Sequence, residues 1–114
     1  MAIDQMNVVD LIATHPDGNK VALMIFDHLE WVGDNESDGT HMYHLQQKVN
    51  AYLEFLESGE IYRKYPKAVG KNISIRIIAK YPMNRVGADF FDRLRSEVLK
   101  YGYEMEFDNR QDDD

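Results

Sequence analysis

Between Lys71 and Tyr81, Ile73, Ile75, Ile77 and Ala79 alternate with Ser74, Arg76, Ile78 and Lys80. Side chains of an extended chain point alternately to opposite faces, so this pattern predicts a strand with one deeply buried face. What flanks it narrows the fold further. Upstream, Met42, Leu45, Val49, Tyr52, Leu53 and Leu56 recur at steps of three and four, which places them on one stripe of a helix over Thr40 to Ser58. Asp38 or Thr40 serves as N-cap, and Gly59 suits the left-handed position after the last turn. Downstream, Pro82 ends the strand and Asn84 caps a second helix. Phe90, Phe91, Leu94, Val98 and Tyr101 form its apolar stripe, and Gly102 stops it.

The ends of the chain add strands. Val8 to His15 and Lys20 to His28 are rich in aliphatic residues and flank Pro16-Asp17-Gly18-Asn19, a turn signal, so they read as a hairpin. Tyr103, Met105 and Phe107 alternate with Glu104, Glu106 and Asp108 in a last, half-exposed strand. Trp31 to Gly39 reads as an acidic loop, and Glu60 to Gly70 as a turn of helix followed by a loop. The expected fold class is α+β: a two-layer sandwich in the order ββαβαβ. Its four-stranded mixed sheet carries both helices on one face. Right-handed crossovers then give strand order 1-2-3-4 with the first strand antiparallel. Residues 1–108 form one domain, and 109–114 an acidic tail.

Composition excludes several classes of function. The chain has 114 residues, a net charge of −7 and no cysteine. No disulfide, thiolate metal site or cysteine nucleophile exists, and acidity disfavours the phosphate backbone of nucleic acid. Met1 to Ala13 lacks the basic and apolar regions of a signal peptide. The longest apolar run, Val21 to Phe26, is six residues, far short of a membrane span. A cytoplasmic protein without membrane or nucleic-acid partners is expected. Charge is uneven: five acids without a base lie between Asp27 and Asp38, and four bases without an acid between Arg63 and Lys71.

The sheet face opposite the helices is less polar than solvent favours. With Val21, Leu23 and Ile25 facing the helices, Met24 and Phe26 face outward beside Ile78. Burying one such side chain stabilises by about 1.5–3 kcal/mol. This patch points to a homodimer or an unknown protein partner, unless Trp31 or the N-terminal segment folds over it.

The residues that most invite a chemical reading are Asp27, His28, Trp31, Glu36, His41 and His44, where the second strand leads into the first helix. His41 and His44 stand three apart, a spacing that permits a shared metal. The residues between them, Met42 and Tyr43, supply no general base. Helix-surface histidines are the better account of the pair, and no metal or other cofactor is expected. Asp34, Glu36, Asp38 and Gly39 imitate the opening of a calcium loop, yet Leu45 stands where its bidentate Glu belongs, leaving at most a weak cation site. The aromatic and basic run Tyr62 to Lys67 suits tyrosines packed on the domain better than single-strand binding, given the overall acidity. Arg76 is expected to pair across strands with Glu104 or Glu106.

The run Asp27-His28-Leu29-x-Trp31, then Asn35-Glu36, then His44 to Ile61 resembles a small bacterial family of unknown function, domain of unknown function 6572. The strands at Lys71 to Tyr81 and Tyr103 to Phe107 resemble it too. The family supports the element order and carries no activity, cofactor or catalytic residue to transfer. Ser37 to Thr40 stand as extra residues in the loop. Two functions follow from the residues. The first is a non-enzymatic interaction module that self-associates, with an immunity- or antitoxin-like role against a basic partner as an analogy. The second is a metal-dependent or acid/base enzyme centred on Asp27, His28, His41 and His44.

Overall fold

The computed structural model describes residues 11–16 and 18–110. The beginning of the first expected strand, Asp17 of the turn and Asp112 to Asp114 lie outside them. Strands β1 (Leu11–Thr14) and β2 (Lys20–Asp27) form the hairpin, closed by Gly18 N–H donating to His15 O at 2.8 Å. Helix α1 (Asn35–Glu57) leads through a short helix α2 (Glu60–Lys64) and a 3-10 turn to β3 (Asn72–Ala79). Helix α3 (Arg85–Lys100) and strand β4 (Glu104–Asn109) complete the chain. The sheet order is β1-β2-β3-β4, with β1 antiparallel and the other pairs parallel, as the crossover argument requires.

The alternating side chains settle where the core lies. Val21, Leu23 and Ile25 sit beside Ile73, Ile75 and Ile77, with Met105 next to Ile75, all nearly or fully buried. Leu45, Val49, Tyr52 and Leu56 of α1 and Phe90, Leu94 and Val98 of α3 pack onto that one face. Two stripes on one sheet face make a two-layer α+β sandwich. Tyr52 adds a bond, its hydroxyl donating to Met24 O at 2.6 Å.

Several boundaries differ from the sequence reading. Helix α1 begins at Asn35, because Asp34, rather than Asp38 or Thr40, accepts Ser37 N–H at 2.9 Å as its cap. Those backbone amides hold the Asp34 carboxyl below its usual pKa. Glu36 and Asp38 then stand in the first turn, where carboxylates complement the helix dipole. Ser37 to Thr40 are therefore helical, not loop, and the imitation of a calcium loop is the start of a helix. Gly59 follows α1 with φ 80°, a left-handed turn that glycine adopts without strain. Tyr101 falls off the apolar stripe of α3 and is 52% exposed. Asn109, grouped by the sequence with the tail, is the last residue of β4, its side-chain amide donating to Ala79 O at 3.1 Å.

The outer face divides into two halves. Toward the start of the parallel strands, Lys20 donates to Glu106 at 2.9 Å and pairs with Glu104 at 2.8 Å, while Arg76 pairs with Glu106 at 3.2 Å. Lys20 lies on β2 and its partners on β4, so its side chain reaches across β3 to meet them. Toward the other end, Phe26 stands directly beside Ile78, with Met24 two residues back beside Arg76. Ile78 is 9% exposed, while Met24 and Phe26 are half-buried. Trp31 lies on the helix side, so it is not what covers this face.

Candidate functional site

Strand β2 ends by aiming Asp27 at the helical layer, one step beyond Ile25 on the same face. There its Oδ2 meets Nε2 of His41 on α1 at 2.7 Å, and its Oδ1 accepts Leu29 N–H at 3.1 Å. Both side chains of the pair are 2% exposed or less. A carboxylate accepts, so Nε2 donates; Nδ1 of His41 is buried and makes no hydrogen bond. The sequence placed His41 on the helix surface, and this is corrected. Helix α1 starts just past β2, so its second turn, which carries His41, lies beside the end of that strand, where Asp27 stands.

Trp31 closes the pair from solvent. Its ring stacks on the His41 imidazole with centroids 3.8 Å apart and planes 23° from parallel. On its other side lies Gly87, in the first turn of α3. A Cβ built there would stand 2.8 Å from Cε2 of the indole, so only glycine admits this approach.

Asp38 supplies the second tie. Buried at 3% exposure, it accepts Val32 N–H through Oδ1 and Gly33 N–H through Oδ2, both at 3.0 Å. The Asn84 side-chain amide also donates to Oδ2 at 3.0 Å, while its own oxygen accepts Gly87 N–H at 2.8 Å. One carboxylate thus joins the β2–α1 loop, the start of α1 and the cap of α3.

Of the six residues singled out by sequence, Asp27, Trp31 and His41 come together. His28 is exposed just past β2, Glu36 is exposed in the first turn of α1, and His44 is half-buried beside Tyr43. Among the described residues, no group of three or more histidine, aspartate or glutamate side chains is placed to hold a metal ion. Asn84 caps α3 as the sequence reading expected, while its bond to Asp38 and the close approach of Gly87 to Trp31 are what that reading missed. The available signal was Gly87, a poor helix former near the start of a helix, which marks a close approach.

An Asp–His pair is the geometry of a general base, but a base has to reach its proton. A cavity of about 290 Å³ opens at the carboxyl ends of β2 and β3, lined by Phe26, Asp27, His28, Ile78, Lys80 and Arg110, with Ala79. His41 does not line it, because Trp31 and the helices enclose the imidazole. The constellation therefore works as a clamp between loop and helices.

Among the described residues no helix is long and apolar enough to cross a membrane. Comparison with curated proteins and with solved structures returns no match. A family model does match, over residues 1–111, and the chain belongs to that family, the family of unknown function DUF6572.

Proposed function

We propose that the protein is a non-enzymatic interaction module that self-associates through the outer face of its sheet. The observation that carries this reading is the pairing of Phe26 with Ile78, next to Met24, on the side opposite both helices. The half-exposed parts of Met24 and Phe26 beside the buried Ile78 are stabilised further by a partner surface. The occupant argued here is a second copy. The charged half of the face sets two bases, Lys20 and Arg76, against two acids, Glu104 and Glu106, so it is neutral within itself. A copy carrying the same net charge of −7 thus meets no net repulsion at this face. The enclosure of His41 weighs against the acid/base enzyme, since a sealed imidazole meets no substrate.

Sedimentation velocity across a wide concentration range tests this. A dimer for the native chain, and a folded monomer for Phe26→Asp, supports the reading. A native monomer at about millimolar concentration overturns it.

A further inference from the structure

We propose that the cavity at the carboxyl ends of the parallel strands binds a small phosphate ester that carries a flat apolar ring. The cavity holds about 290 Å³, and its lining includes His28, Lys80 and Arg110 together with Phe26 and Ile78. In open sheets with parallel strands, ligands settle at this end, where the loops leave the sheet. The volume suits a molecule of one ring and one anionic group, at the small end of ligand pockets.

Strand alternation brings the three bases together. Phe26, Ile78 and Asp108 are neighbours across β2, β3 and β4 on the outer face. The ladder runs past the ends of the strands: Lys80 N–H donates to Asp27 O at 2.9 Å, and Arg110 N–H to Ala79 O at 2.8 Å. Two residues further along, a pleated chain returns to the same face, and there stand His28, Lys80 and Arg110. Adjacent strands lie about 4.8 Å apart, so the row spans about 10 Å.

Charge and shape select the ligand. On the other half of the face, Lys20 and Arg76 are taken up by Glu104 and Glu106. Among the described residues no carboxylate pairs with Lys80 or His28, and the Lys80 ammonium lies 5.7 Å from the centre of the Tyr81 ring. Asp108 engages Arg110 through Nε at 2.8 Å, and a guanidinium has further donors on its two terminal nitrogens. Asp27 also lines the cavity, but its carboxylate is committed to His41 and to Leu29 N–H on the helical side. Two permanent cations and an imidazole match a phosphate dianion better than a carboxylate, and arginine binds phosphate in a bidentate manner. The net charge of −7 opposes an anion only weakly at a distance, since salt screens charges beyond about 8 Å. Phe26, half-buried, and Ile78 form the apolar wall on which a flat ring packs. The same two side chains belong to the proposed dimer face, so the ligand and a second copy compete for them.

The probes are phenyl phosphate, inorganic phosphate and benzoate, each titrated at physiological salt and neutral pH into the ¹⁵N-labelled full chain. Phenyl phosphate is expected to bind saturably, shifting amides of residues 26–28, 78–80 and 108–110. Inorganic phosphate lacks the ring and benzoate the second charge, and each is expected to bind about tenfold more weakly. The double variant Lys80→Gln, Arg110→Gln is expected to keep its fold, since both residues are exposed, and to lose about tenfold in affinity. Met24→Asp alters the proposed dimer face outside the cavity. It is expected to bind phenyl phosphate no more weakly than the native chain, whether or not that chain associates, so the two proposals fail separately. Absence of saturation by about 10 mM in both the native and Met24→Asp chains overturns the proposal. So do equal binding of benzoate or inorganic phosphate, shifts confined to another surface, unchanged affinity in the double variant, or weaker binding by Met24→Asp.

Discussion

A Cβ on Gly87 would lie 2.8 Å from Cε2 of Trp31, a separation that neither helix α3 nor the indole accommodates without moving. The indole cannot retreat, because the His41 ring backs it at a centroid distance of 3.8 Å. Alanine in a helix is intrinsically better than glycine by about 1 kcal/mol, while overpacking a tight core costs about 1–3 kcal/mol. At a site enclosed on both sides the second effect wins. Gly87→Ala is therefore expected to lower stability by up to about 2 kcal/mol in urea unfolding. Trp31→Phe on the same background is expected to recover part of the loss. A Gly87→Ala chain as stable as the native one would mean that Trp31 has room to move.

Asp38 serves three donors from two separate segments. Hydrogen bonds to a charged acceptor contribute about 1.5–3 kcal/mol, and a buried donor left without one costs more than the bond contributed. Asp38→Ala is expected to cost about 3 kcal/mol. Hydrogen exchange locates the damage: the amides of Val32, Gly33 and Gly87 should lose protection while those of β3 keep it. Uniform loss across the sheet would sink this account.

The Asp27–His41 pair calls for a double-mutant cycle. Removing one partner from a buried pair strands the other, at about 3–5 kcal/mol, whereas removing both can be nearly neutral. Asp27→Asn and His41→Phe are each expected to destabilise strongly, and the double variant by clearly less than their sum. Additive losses would show that the two side chains contribute independently.

The sequence made the sheet legible because its signals are local. Ile73, Ile75 and Ile77 alternate whatever lies around them, and the stripes of α1 and α3 repeat at helical steps. Crossover handedness then left one strand order. The start of α1 escaped because Asp34 to Thr40 is polar and carries a glycine, composition that describes a loop as well as a solvated helix turn. Only the bond from Ser37 N–H to Asp34 distinguishes them. The clamp escaped for a different reason. Asp38 and Asn84 are 46 residues apart, and nothing within either segment indicates that they meet. Gly87 alone left a trace, as a residue that a helix would not choose for its own sake.

The charged network on the outer face gives stability a defined pH dependence. Glu106 has its pKa lowered from 4.5, chiefly by the hydrogen bond from Lys20, with Arg76 adding to the effect. A depressed carboxylate stabilises the fold above its unfolded value, and that contribution disappears as pH falls through the folded value. Lys20 is raised from 10.5, first by its hydrogen bonds to Glu104 and Glu106. A raised ammonium stabilises below its unfolded value, and the contribution is lost as pH climbs through the folded one. Between those limits both terms are fully present, though partial exposure holds the network to under about 1 kcal/mol. Lys20→Met, which keeps an unbranched stem and deletes the charge, should therefore be slightly less stable than the native chain near neutrality. The difference should close as pH drops below the ordinary carboxylate range, because a protonated Glu106 no longer needs a cation. Urea midpoints of the two chains, measured side by side from neutral to acid pH, follow this directly. A gap that stays constant to the acid limit would assign the loss to packing of the lysine stem rather than to its charge.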